Sequence, residues 1–322
     1  RYEDLDGKVW KKQIIDRDFS ILDENIVDEC DAKLLAEKFC ADNEQRMRAY
    51  MSALGYLINR YKTQENCPVI DFADEDMVEG ESRGGTGKGL TLKMVKQIRN
   101  VVTIDGKSFD TTKTFAFSRV NPDTDVILID DIDKRYDFQK LFSLVTEGLP
   151  IEKKYQNEIY IDFKDAPKWA ITRNHPLAGS GGSFDRRLFS IEIHPFLSAN
   201  YTPSDFLGKE LFNWDEDEWL KFDNFMMHCA KLYLKFGLVK PEYVNLEVNK
   251  LKANTRVDFV EWADEHLREG GRYNKKDLRI QYATDNNVNK VTQHSFNKWL
   301  KLYFEFKGWR YDFEVGAGKS YV

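Results

Sequence analysis

The chain has 322 residues, 42% hydrophobic and 14% aromatic, with a formal net charge of −6; this is folded, soluble material, long enough for a full α/β core plus one or two small domains. No run of about 18 apolar residues and no signal peptide is visible, so no membrane span or secretory leader is expected. Cys30, Cys40, Cys67 and Cys229 lack CxxC spacing, and His175, His194, His228, His266 and His294 form no ligand pair at helical spacing. Neither zinc nor a disulfide framework is therefore expected, and the cysteines read as small buried hydrophobes in a reducing cytoplasm. The chain starts at Arg1 rather than Met, which predicts a fragment, so that any N-terminal domain would lie outside it.

Residues 1–65 are charged and helix-prone. Met47, Tyr50, Met51, Leu54 and Ile58 recur every three or four residues, which predicts an amphipathic helix, either packed on the core or part of an assembly collar. Next comes Ser82-Arg83-Gly84-Gly85-Thr86-Gly87-Lys88-Gly89, followed by a helical pattern beginning at Leu90. Such a loop coils tightly enough to aim backbone N–H groups at phosphates, with Lys88 reaching the β/γ-phosphates and the next helix presenting its positive end. Against the Walker A pattern, Ser82 replaces the first glycine and Gly89 replaces the hydroxyl residue that ligates Mg²⁺. A flexible surface turn is the alternative.

Val126-Ile127-Leu128-Ile129-Asp130-Asp131 reads as a buried parallel strand delivering two acids to its C-terminal edge, where ligands bind in open α/β sheets. It follows Lys88 by roughly 40 residues, a spacing that suits an NTPase, with Asp130 on Mg²⁺ and Asp131 polarising the attacking water. The later half of Ile151–Lys164 alternates apolar and polar residues, which predicts a hairpin. Lys153, Lys154, Lys164 and Lys168 are balanced there by Glu152, Glu158, Asp162 and Asp165, as on a solvated surface. A further strand, Trp169–Thr172, runs into Asn174, and Arg186-Arg187 precedes another apolar run. An amide at a strand tip can position water, and an arginine from a neighbouring subunit can neutralise charge on a γ-phosphate.

Beyond Pro241 the composition shifts. Residues 250–322 hold 14 Lys/Arg against 10 Asp/Glu, net +4, whereas residues 1–249 are net −10. Helices over Val257–Leu267, Lys275–Ala283 and Thr292–Phe304, then a hairpin over Trp309–Val322, predict a winged helix. Phe296, Trp299, Leu300, Tyr303 and Phe304 form its buried stripe. His294, Asn297, Lys298 and Lys301 are left on the face that would dock on DNA or simply meet solvent.

Taken together, the glycine loop, the acidic strand, the run from Gly148 to Lys154, the run Ala166–Pro176, Arg186-Arg187 and Pro195-Phe196 resemble the superfamily 3 helicases. The resemblance is narrowest to the helicase part of phage, plasmid and mobile-element primase-helicases, and it covers roughly residues 65–240. It implies an AAA+-like P-loop ATPase core forming a homo-hexameric ring on single-stranded DNA. Matched by position, Lys88 is the Walker A lysine, Asp130 and Asp131 the Walker B acids, Asn174 the sensor, and Arg187, with Arg186 beside it, the arginine finger. ATP would sit on Gly84, Gly85, Thr86, Gly87, Lys88, Gly89 and Leu90, with Mg²⁺ on Asp130; water, Asp130 or Thr91 would compensate for Gly89. The family's channel hairpin would fall on Lys153, Lys154 and Tyr155, charge for phosphate and a ring for a base. The expected layout is a helical region 1–65, a core 66–205, a helical connector 206–249 and a winged helix 250–322. A primase would precede it, and the setting would be the cytoplasm of a bacterial host. A weakly hydrolysing replication initiator or loader, and a nucleotide-stabilised structural oligomer, stand as alternatives.

Overall fold

The computed structural model describes residues 11–77, 85–133, 136–177, 179, 181–288, 290–311, 314–316 and 319–321, so Ser82, Arg83 and Gly84 of the loop lie outside the described residues. The chain divides into two compact units, residues 1–175 with 180–243, and residues 176–179 with 244–322.

The first unit begins with helices α1 (Glu24–Val27), α2 (Asp31–Phe39) and α3 (Glu44–Ile58). Asn43 caps α3, its side chain accepting from the Arg46 N–H, so a donor orphaned at the helix start is satisfied. The stripe read from the sequence faces inward: Tyr50, Leu54 and Ile58 are buried, and Met47 and Met51 pack beside them. There follow strand β1 (Val69–Asp74), helix α4 (Lys88–Lys96), strands β2 (Val101–Asp105) and β3 (Val126–Asp130), and the short helix α5 (Phe142–Thr146). Next come β4 (Leu149–Ile151), β5 (Ile159–Ile161), β6 (Lys168–Arg173), α6 (Gly182–Asp185), β7 (Leu188–Ile193), α7 (Pro203–Leu207) and the long α8 (Glu216–Phe236). Helix α8 is capped by Asp215 and carries Glu216, Asp217 and Glu218 in its first turn, where acids complement the helix dipole. It crosses α3 at Gly55, where an added Cβ would come 2.0 Å from the Cys229 carbonyl oxygen. A methyl group there would force the helices apart.

Five strands form one parallel sheet in the order β2-β3-β6-β1-β7. Strands β1 and β6 are buried along their whole length, as expected for interior strands of a doubly covered sheet. The charge inside β1 is neutralised from both neighbours. Arg173 of β6 donates to both oxygens of Asp71, at 2.8 to 3.0 Å, and Ser190 of β7 donates to Asp71 Oδ2 at 2.7 Å. Strands β4 and β5 form the expected antiparallel hairpin, with residues 152–158 as its loop.

The second unit holds α9 (Leu246–Asn254), α10 (Val257–His266), α11 (Lys275–Asp285), α12 (Gln293–Lys307) and the paired strands β8 (Glu314–Gly316) and β9 (Lys319–Tyr321). Phe259, Tyr282, Phe296, Leu300 and Tyr303 make its core. The four cysteines are buried and free. Among the described residues no helix is long and apolar enough to cross a membrane.

Candidate nucleotide site

Because all five strands run the same way, their C-terminal ends share one edge, and the chain delivers polar side chains there from four strands. Strand β1 ends at Asp74, and after the loop α4 starts at Lys88, capped by Gly87 at φ 117°. That left-handed conformation favours glycine. The position excludes a side chain for a second reason, since a Cβ would lie 2.4 Å from the Phe39 ring. Gly85 is also left-handed, at φ 92°. Lys88 Nζ pairs with Asp74 Oδ2 and lies 3.3 Å from Thr86 Oγ1, while the Thr86 hydroxyl donates to Asp74 Oδ1 at 2.5 Å. All three residues are buried.

The acids of β3 sit beside the tip of β6. Thr172 donates to Asp130 Oδ1 at 2.6 Å, and its oxygen accepts from the Asp131 N–H at 2.8 Å. Asp131 has left the strand at φ 55°, an uncommon conformation for a non-glycine residue and one that clusters at functional sites. Its carboxylate is held from two sides, by Asn174 Nδ2 at 2.8 Å and by Lys107 Nζ at 2.8 Å. Asn174 Oδ1 is buried with no hydrogen-bond partner among the described residues, so this amide has an acceptor to spare. His175, next in sequence, is half-buried, and burial followed by the Arg173 charge pushes its imidazole below the usual range, toward the neutral form.

Gly89 stands where the loop hydroxyl for Mg²⁺ would be, and no hydroxyl among the described residues takes its place. Space is not the reason, because nothing lies within 4 Å of a Cβ built on Gly89. Thr91 does not substitute: its hydroxyl is buried, donates to the Gly87 carbonyl at 3.2 Å and accepts from Tyr50 at 2.9 Å. Asp130 remains, with its side chain exposed. One carboxylate facing solvent suits Mg²⁺ held mainly by water and substrate phosphates.

Other sequence-derived residues lie elsewhere. Leu90 is half-buried in the first turn of α4. Arg186 and Arg187 precede β7, and the Arg187 carbonyl accepts from Val69 N–H at the start of β1. They therefore occupy the N-terminal edge, the length of β1 from Asp74, about 17 Å at the rise of a parallel strand. Arg187 donates to Ser183 O at 3.2 Å, stacks over Phe142 at 4.8 Å, and leaves its buried Nε without a partner among the described residues. Lys153 is drawn back onto Asn121 Oδ1 at 2.5 Å, leaving Lys154 and a fully exposed Tyr155 in the hairpin loop. Lys168, counted in sequence as one of the hairpin's solvated lysines, is buried. Its ammonium donates to the carbonyls of Tyr56 and Asn59 and lies over the Tyr56 ring at 3.9 Å. In the second unit Lys298 is exposed on α12, and Lys301 pairs loosely with Glu305 at 3.7 Å.

Three residues escaped the sequence reading. Asp74 closes the apolar strand just upstream of the loop, Thr172 ends the run Trp169–Thr172, and Lys107 lies in the turn after β2. A carboxylate closing an apolar strand before a glycine loop was the available signal for Asp74; Lys107 had none.

No family model matches the chain, and no curated protein matches it significantly. Among solved structures, the apo structure of the NrS-1 C-terminal region matches at 14% identity over 98% of this chain and 78% of that one, with a TM-score of 0.51. An A-form apo structure of the same region gives 14% identity, the same coverage and a TM-score of 0.47. JCV helicase bound to a small molecule gives 13% identity, 76% and 69% coverage, and a TM-score of 0.32. Only the first is strong enough to bear weight, and at that identity it speaks to fold alone. The chain therefore shares its fold, built on the five-stranded parallel α/β sheet, with the NrS-1 C-terminal region.

Proposed function

We propose that the chain is the ATP-dependent motor of a ring-forming DNA helicase of the superfamily 3 kind, acting on single-stranded DNA during phage or mobile-element replication in a bacterial cytoplasm. The observation that carries this reading is the convergence of Lys88, Asp130, Asp131 and Asn174 on one sheet edge, with Asn174 donating to Asp131. In this reading Lys88 and the loop amides of Gly85, Thr86 and Gly87 hold the phosphates, Asp130 takes Mg²⁺ and Asp131 draws the proton from water placed by Asn174. Arg187, a strand's length away, would act on the nucleotide of the adjacent subunit in a homo-hexamer, with Arg186 the other candidate finger. Lys153, Lys154 and Tyr155 would line the channel. The second unit would serve as a winged helix, with Lys298 and Lys301 toward DNA, and a primase domain would be the N-terminal partner.

A mixing experiment tests this. Asp131→Asn and Arg187→Ala should each bind ATP and each lose turnover by about a thousandfold. Mixed together, they should regain part of the DNA-stimulated activity at interfaces that pair the two intact halves. Mixed rings without recovery would mean that the arginine acts in cis or not at all. Gly89 favours a second reading, a nucleotide-gated initiator or loader with weak hydrolysis; slow turnover unaffected by single-stranded DNA in the unaltered protein would select it.

A further inference from the structure

Asp74 is placed where a phosphate site should be electropositive. Both of its oxygens are taken up by the groups that would bind a nucleotide: Lys88 Nζ holds Oδ2 and the Thr86 hydroxyl holds Oδ1. Asp74 is 3% exposed, Thr86 4% and Lys88 7%, so the pair is shielded from water and its attraction is little screened. Strand β1 supplies the carboxylate and the start of α4 the cation, so Thr86 and Lys88 are tied to the end of the strand that precedes them. A phosphate group approaching Lys88 meets an anion already in contact with the ammonium. Both cannot keep close contact there without like-charge repulsion across a low-dielectric site.

We propose that Asp74 is a resident anion that stands in for phosphate and must be displaced for nucleotide to bind, making it a latch on the loop. This rests on the nucleotide reading of the same loop and deepens it. The latch holds Lys88 and Thr86 in place without ligand, and it lowers apparent affinity by the fraction of time the pair is closed. Ligands with more phosphate charge displace it more readily, so it discriminates against mononucleotides and free phosphate.

Calorimetry and thermal melting with ATP and ADP, in Mg²⁺, test the latch on three proteins. Asp74→Asn keeps the shape and removes the competing charge, leaving Lys88 buried without its counter-ion. It should lower the melting temperature of the free protein, tighten ATP and ADP binding by about tenfold, and enlarge the ligand-induced rise in melting temperature. Asp74→Ser gives the same comparison should the amide not be tolerated. Lys88→Ala is the control. If Lys88→Ala loses ATP and the Asp74 variants show no gain, the latch is wrong while the phosphate site stands. If Lys88→Ala binds ATP normally, the phosphate-site reading fails and the latch fails with it.

Discussion

At the N-terminal edge of the parallel sheet Lys168, Arg99 and Lys62 donate to the chain's own backbone, whereas at the C-terminal edge Lys88 and Lys107 meet acids side chain to side chain. Lys168 donates to the carbonyls of Tyr56 and Asn59, Arg99 to Ile58 O at 2.5 Å, and Lys62 to Ala166 O at 2.6 Å. Three of those carbonyls sit at the C-terminus of α3, where the helix dipole is negative and the last acceptors lack helical partners. Lys168 and Arg99 thus cap the end of α3 as donors. At the other edge Lys88, Lys107 and Asn174 hold the carboxylates of Asp74 and Asp131, and Asn174 Oδ1 is unsatisfied. The difference separates charge used for folding from charge available to a ligand. Arg187 is the exception, standing at the structural edge with a buried Nε that no described residue satisfies.

The largest effect that separates the edges is expected at Lys168. Replacing it with Met should orphan two carbonyls, cost about 2 kcal/mol in urea unfolding, and leave nucleotide affinity unchanged; a matching loss of ATP binding would break the contrast. Burial first, then the charges of Lys62 and Arg99, push the Lys168 ammonium down to about 6. Between that value and its unfolded value of 10.5 the unfolded chain binds more protons, so this group makes stability rise with pH across that window. Lys168→Met should flatten that rise.

A smaller effect is expected at the ligand edge. Gly89→Ser places a hydroxyl in open space at the loop, and should lower the Mg²⁺ needed for half-maximal ATP binding by about fivefold, read by titration. No change would mean that the loop does not face the metal. The smallest belongs to Lys107, whose side chain is 70% exposed. Lys107→Ala should slow ATP turnover about twofold and leave the melting temperature within error, since exposed ion pairs contribute little. A large stability loss would place Lys107 with the structural cations.

What the sequence made legible at this site was what is written locally. The glycine loop, the acids closing an apolar run and the amide after Trp169–Thr172 each depend on neighbours within a few residues, and they do meet on one edge. The hairpin was legible for the same reason, and so were α10, α11 and α12 of the second unit, to within three residues at each end, whereas α9 was missed. Strand β1 was not, because Asp71 interrupts its apolar run, and its partner Arg173 lies 102 residues away through a parallel register that no local pattern encodes. Lys168 was misread for a related reason. A lysine beside a charged hairpin resembles any other until the C-terminus of α3 is folded against it. Thr91 looked like a spare hydroxyl only because Tyr50, 41 residues upstream, could not be seen above it.

The contact between Gly87 and Phe39 bears on how the protein could be dissected. Phe39 ends α2, its carbonyl accepts from His194 N–H beyond β7 at 2.8 Å, and its ring fills the volume next to the loop glycine. The helical segment upstream of the sheet is therefore the floor on which the loop rests, rather than an appendage that could be trimmed away. A truncation that starts the chain at β1 would keep every residue of the glycine loop and remove the surface that gives it shape.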